Sequence, residues 1–270
     1  MDAPSDLDIN VADQSVDVPR LSFYISPRIS RTMLLMCHLF IGVIIGLLAF
    51  QLLNDRRVVI LTAIGSMLPD LIDKPLGHII LNSSIDFGRI YAHSGLFFAA
   101  ILIVAIAYHQ KKGSWIVMGL AAGVLSHLAL DSMWEMPVTL FYPFLGDFGV
   151  HHFPNYIGES FLKEIGSAYE WMFGASVLSM LLYTYREKLS GFTVIRFAPM
   201  IVRALALFLV IFGIGSILYA ASSSFNPLSG ETDVEQNLII GLVALVGGAL
   251  NYYIWTNKMT GAMNRFRSNR

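Results

Sequence analysis

Cysteine is almost absent from this chain: Cys37 stands alone among 270 residues. No intramolecular disulfide and no cysteine-built zinc module can form. Charge is scarce as well, at 14% Asp, Glu, Lys and Arg with a formal net charge of −1. That balance lacks the basic footprint with which proteins grip phosphate backbones, so no nucleic acid partner is expected. Residues 1–20 are polar and acidic, with Asp2, Asp6, Asp8, Asp13 and Asp17. This is the wrong composition for a secretory signal, and none is expected. Residues 1–30 read instead as a flexible acidic tail.

What the chain has in quantity is apolar surface: 55% of its residues are hydrophobic and the mean hydropathy is +0.62. A helix crosses a bilayer with about 20 mostly apolar residues. Met33–Leu53, Ala198–Ala220 and Leu238–Trp255 meet that length, and Ser167–Tyr185 nearly does. Val58–Leu68, Gly95–Tyr108 and Trp115–Leu130 are shorter. A soluble globule would have too little polar surface left. The expectation is an all-α, polytopic transmembrane helical bundle of about seven spans. If the spans alternate, twelve of the 18 Lys and Arg fall on one side. That side, which includes the basic carboxyl-terminal tail, should be cytoplasmic. Arg28 and Arg31, close to the first span, pull the other way.

Against this background six ionisable residues are out of place: His38, Asp70, Asp73, His93, His127 and Asp131. An Asp at the centre of a bilayer helix costs about 2.5–3.5 kcal/mol on insertion scales. Alternating the spans puts all six at one membrane face, the one with fewer positive charges. His127 and Asp131 are four apart and Asp70 and Asp73 three apart, so each pair shares a helix face. His38, Gly42 and Gly46 follow at steps of four, and Gly119 and Gly123 repeat the device. Such small-residue stripes let helices approach closely, and packing the first span on the fourth would bring His38 towards His127.

Mixed His and Asp donors suit zinc, with manganese as the other candidate, and bridging carboxylates allow one or two ions. A two-metal site activates water and clamps phosphate oxygens. Arg89 could hold a phosphate by a bidentate contact. Taken singly, each residue has a plainer reading. A lone His in a span is more often a hydrogen-bond partner, Pro-Asp often ends a helix, and Arg89 can be an interfacial charge. Glu170 is by default an interfacial carboxylate and more sharply a general base or further ligand. His151 and His152 lie in the long polar-aromatic connection 134–166 and are the weaker ligand candidates. Trp134, Tyr142, Pro143, Phe144 and Trp171 fit an aromatic interface belt.

Three motifs then combine: Met67-Leu68-Pro69-Asp70-Leu71-Ile72-Asp73, Gly88-Arg89-Ile90-Tyr91-Ala92-His93-Ser94, and His127-Leu128-Ala129-Leu130-Asp131 followed by Tyr142-Pro143-Phe144. Over about residues 33–185 they resemble the YdjM-like family of inner-membrane proteins, described as metal-dependent hydrolases and in some members as LexA-binding. The order His38, Asp70, His93, His127, Asp131 is also similar to the ligand order of zinc-dependent phospholipase C and P1-type nucleases. No His-x-x-x-Glu for a third metal is present, so that analogy reaches two metals.

These resemblances imply a membrane-bound, metal-dependent hydrolase. Metal-activated water would attack a phosphoester, plausibly of a membrane lipid, at the outer interface. His38, Asp70, His93, His127 and Asp131 would hold metal, Arg89 would bind phosphate, and Asp73 would be a ligand, a supporting partner or the base. Residues 31–185 would form the metal-site domain, and 186–270 two scaffold spans with a basic tail. The rival readings are an ion- or proton-coupled transporter and a non-catalytic metal-binding scaffold or regulator. A reporter fused after Arg270 should read cytoplasmic, and an external signal there would overturn the orientation.

Overall fold

The computed structural model describes residues 35–149, 156–184, 194–223, 225–227, 229 and 233–256, with no β-strand among them. The amino-terminal tail, the carboxyl-terminal tail, and His151 and His152 lie outside the described residues.

Helix α1 runs over Leu35–Leu53. It ends where Asn54 turns left-handed, at φ 52°, a conformation Asn tolerates better than most residues. Helix α2, Arg57–Pro75, starts on Asp55, whose carboxylate accepts the Arg57 backbone N–H at 3.0 Å and its guanidinium at 2.7 Å. Those hydrogen bonds hold the Asp55 carboxyl below its usual range. Beyond Pro75, which has no N–H to give, α2 widens into a π-helical turn, Leu76–Ile80. Helix α3, Gly95–Lys112, has the Ser94 hydroxyl as its amino-terminal cap, accepting Phe97 N–H at 3.1 Å. It stops at Gly113, left-handed at φ 66°, as helix ends commonly do. Then come α4 (Met118–Leu130), a 3₁₀ turn (Met133–Glu135), α5 (Pro137–Leu140) and α6 (Tyr156–Gly166). Helices α7 (Ala168–Thr184), α8 (Val194–Ser222) and α9 (Val234–Trp255) complete the described chain. The α9 cap is Asp233, which accepts the N–H groups of Glu235 and Gln236.

Four helical segments are long and apolar enough to cross a membrane: Leu35–Leu53, Gly95–Lys112, Phe197–Ser222 and Val234–Trp255. The other three apolar runs fall short for separate reasons. Helix α2 carries Arg57, Asp70, Asp73 and Lys74. Helix α4 has 13 residues, a rise of about 20 Å against about 30 Å of hydrocarbon. Helix α7 has 17 residues. Helix α3 buries little beyond Ala105 and exposes Leu96, Ile103, Val104 and Ile106, the pattern of a helix wetted by lipid.

The two small-residue stripes do not face each other. Both face α2, and α1 and α4 pack against its 58–66 stretch. Gly46 sits on the Val59 backbone, where a Cβ would stand 2.7 Å from its Cα. Gly123 of α4 meets the same stretch of α2, where a Cβ would stand 2.6 Å from Ser66 N. Gly65 of α2 meets the Leu120 carbonyl of α4 in return. Behind α1, Phe40 stacks on Phe173 of α7 with ring centroids 5.2 Å apart, and its edge fills the space left by Gly247 of α9. This arrangement carries the chemistry-bearing end of α2 into the middle of the bundle.

Gly123→Leu should wedge α4 off α2 and destabilise the protein by about 1–3 kcal/mol or more, as overpacking does. Gly166→Ala, where nothing lies within 4 Å, should be neutral. Thermal unfolding in detergent checks the pair, and equal midpoints would contradict this packing.

Candidate metal centre

Three chain segments deliver donors to one buried point. The foot of α2 brings Asp70, the loop before α3 brings His93, and the end of α4 brings His127 and Asp131. One donor atom from each of the four lies within 4.8 Å of every other. His93 and His127 have no exposed surface, and Asp70 and Asp131 are nearly as buried.

The tautomers follow from what lies behind each ring. His93 Nδ1 is 2.7 Å from the Asp73 carboxylate and His127 Nδ1 is 2.8 Å from the Ser66 carbonyl. Both partners can only accept, so each Nδ1 bears a proton and, in the neutral ring, each Nε2 presents a lone pair. Those two Nε2 atoms face each other at 3.1 Å. Asp70 Oδ1 lies 3.6 Å and 3.8 Å from them, and Asp131 Oδ2 lies 3.5 Å and 3.7 Å. Tetrahedral bonds of about 2.0–2.1 Å to nitrogen and oxygen space neighbouring donors about 3.3–3.4 Å apart. Donor chemistry and spacing therefore fit a divalent cation, and the four residues could hold one.

Each donor is braced from outside the centre. Asp73, fully buried, accepts the backbone N–H groups of Ile90, Ala92 and His93 at 2.9, 2.9 and 3.0 Å in addition to the His93 ring. It thus folds the 90–93 turn around one carboxylate and aims His93. Lys74, one turn after Asp70, binds Asp70 Oδ2 at 2.7 Å. Arg89 Nε lies 2.9 Å from Asp131 Oδ2. His38 places Nε2 3.2 Å from Asp131 Oδ1 and stacks on the His127 ring at 4.1 Å. Bracing of this kind fixes ligand orientation and tunes metal affinity.

The residues singled out from the sequence thus separate by location. Asp70, His93, His127 and Asp131 converge. His38 adjoins them through Asp131 and His127, and Asp73 and Arg89 touch the donors from behind or beside. Glu170 lies at the start of α7, where its carboxylate accepts the N–H groups of Met36 at 2.6 Å and Cys37 at 3.3 Å. It satisfies the first turn of α1, one residue from His38, and favours that helix end electrostatically.

Other participants had weaker signals or none. Lys74 is readable in hindsight from its i, i+4 spacing to Asp70. The Ser66 carbonyl is invisible in any residue pattern. Ser132, left-handed at φ 49° directly after Asp131, donates its hydroxyl to Glu235 of α9 at 3.2 Å. A second buried pair, His78 Nδ1 and Asp86 Oδ1 at 2.9 Å, joins the π-turn to the loop that carries Arg89 and His93.

Asp73→Ala should leave the 90–93 N–H groups and the His93 ring unheld. Metal affinity is then expected to fall about 10–100-fold, as read by chelator competition. Unchanged affinity would contradict the bracing role.

No curated protein sequence and no solved structure matches this chain, so its likeness to phospholipase C and P1-type nucleases goes no further than residue order. A model of the YdjM inner membrane protein family does match, over residues 33–223. The matched stretch takes in α1 to α8 and every residue of the centre, leaving α9 outside. With 33–223 matched and four helices apolar enough to cross a bilayer, this membrane protein belongs to the YdjM inner membrane protein family.

Proposed function

We propose that this protein is a membrane-embedded, metal-dependent hydrolase of phosphoesters. It would cross the membrane several times, with its centre at the extracytoplasmic face. The observation that carries the reading is the convergence of two imidazoles and two carboxylates, each braced from outside, on one buried point.

Bound there, zinc or another divalent ion supplies Lewis acidity and an acidified water. The protein's own groups do the rest. His93 and His127 offer fixed lone pairs, while Asp73 and the Ser66 carbonyl keep their tautomers. Lys74 and Arg89 balance the charges of Asp70 and Asp131, so the loaded centre is left able to attract an anion. Arg89 spends its Nε on Asp131 and turns Nη1 towards Met136 Sδ at 3.7 Å, a soft and weak contact. A guanidinium placed beside the centre in this way is a group of the kind that binds phosphate oxygens. Asp131 is tied least exclusively to the centre, being shared with Arg89 and His38. It would help to hold the ion and, with His38, could take up a proton.

The distribution of buried charge argues against transport. Among the described residues, the buried Asp, Glu, His, Lys and Arg side chains are His38, Asp70, Asp73, His78, Asp86, Arg89, His93, His127, Asp131 and Glu170. They belong to the start of α1, the foot of α2 with its following loop, the end of α4 and the start of α7. A conduction path needs such groups at several depths.

His127→Ala and Asp131→Ala should each lower metal content at least tenfold while membrane insertion is retained, and should abolish turnover across a panel of phosphoesters. Elemental analysis and the panel read both effects. Full metal content in the variants would overturn the ligand set. Stoichiometric metal in the wild type with no phosphoester cleaved would overturn the hydrolase.

A further inference from the structure

The connection between α4 and α7 starts and finishes at the metal-bearing end of the bundle. It leaves α4 at Asp131. It enters α7 next to Glu170, which is bonded to the first turn of α1 beside His38. Its two described stretches, 134–149 and 156–166, are fastened to the centre's own supports. Thr139 Oγ1 donates to the Arg89 carbonyl at 3.4 Å. Tyr91, two residues from His93, meets Tyr142 and Phe148 edge-on at 5.5 Å and 5.1 Å. Tyr156, at the start of α6, stacks on His78 at 3.6 Å. At the far end of α6 the Ile165 carbonyl accepts the Trp171 indole N–H at 2.8 Å.

The described stretches of the same connection expose large apolar side chains, interspersed with Glu135 and Asp147. Phe144 is 82% exposed and Leu162 70%. Phe141, Leu145, Trp134, Ile165 and Trp171 are also exposed. Helix α6 is amphipathic and has 11 residues, too short to cross a bilayer. Leu162 and Ile165 are three apart and share one face, with exposed Glu159 and Lys163 flanking it on one side. Short amphipathic helices of this type lie in the plane of the headgroup boundary, and Trp and Phe side chains partition there with them. The chain is a membrane protein, and this strip adjoins both α7 and the loop that carries His93. A lipid surface is thus the occupant continuous with what already surrounds the helices.

We propose that residues 134–149 and 156–166 form an interfacial apron lying in the headgroup layer of the bilayer, and that through it the centre takes a membrane phospholipid as its substrate. The lipid's acyl chains stay among Phe144, Leu145 and Leu162, while its phosphate passes the Tyr91–Tyr142–Phe148 cluster towards Arg89. The surface does not depend on catalysis, but the substrate class rests on the hydrolase reading above.

The test labels Phe144→Cys and Leu162→Cys with nitroxides, in a Cys37→Ala background, in vesicles of phosphatidylcholine and phosphatidylglycerol. Both labels should collide at least several-fold more often with oxygen than with a water-soluble nickel chelate, relative to a label at Lys111→Cys. Chelate access equal to that of the Lys111 label would overturn the apron. So would spin–spin coupling that vanishes on dilution with unlabelled protein, because a second copy would then be the occupant. For the substrate, Phe144→Ser combined with Leu162→Ser should lower turnover of a vesicle phospholipid about tenfold relative to that of a water-soluble short-chain phosphoester. An unchanged ratio would overturn entry through the apron. Absence of turnover on both substrates in the wild type would count against the hydrolase, and the label depths would still decide the apron.

Discussion

Two imidazole lone pairs and two carboxylates directed at one point repel one another in water and far more strongly in a buried site, where little solvent screens them. The Nε2 atoms of His93 and His127 stand at 3.1 Å with carboxylate oxygens close on both sides. A positive charge between them makes that arrangement favourable: a proton held by one ring, or a divalent ion that binds both. Much of the remaining structure serves to hold these four donors in place. Asp73 and the Ser66 carbonyl deny each ring the alternative tautomer, and Lys74 and Arg89 keep the carboxylates ionised and directed. The left-handed Ser132, tied to Glu235 across the bundle, fixes the backbone directly after Asp131.

The helix packing answers to the same demand. Ligands on α2 and α4 meet only if the two helices approach backbone to backbone, and Gly65 and Gly123 allow that approach. With α1 and α4 both drawn onto α2 by their glycine stripes, His38 reaches the His127 ring. Pro75 and the π-turn after it then redirect the chain, so that the 86–93 loop folds back onto Asp73 and His78. The stiffness of the centre thus comes from main-chain contacts made before any metal arrives.

Asp70, His93, His127 and Asp131 were legible as ionisable residues in an oily chain, and helical spacing paired His127 with Asp131; His38, read as a fifth ligand, stands beside the four rather than among them. Asp73 was visible as a member of the group. Its task was not, since a spacing of three suits a ligand and a brace equally well. Glu170 shows the other limit: its partners are main-chain N–H groups 134 and 133 positions away, and no pattern of side chains announces them. The short helix α6 lay hidden in a connection that reads as polar and aromatic, because 11 residues give barely three turns of periodicity. Residues 186–270 read as scaffold alone, yet α9 supplies Glu235 to the ligand-bearing turn and Gly247 to the Phe40 ring. The spans were legible as apolar runs, while their lengths depended on where Asp55, Gly113 and Asp131 end or begin each helix.

X-ray absorption spectroscopy of the purified protein at the edge of its bound metal tests the central claim most directly. The account predicts one dominant site with a first shell of nitrogen and oxygen alone at about 2.0–2.1 Å, two of the donors showing the outer-shell scattering of imidazole. That signal should be lost in His127→Ala. A protein that carries no metal after purification and reconstitution, or a metal whose first shell contains sulfur from Cys37, would contradict it.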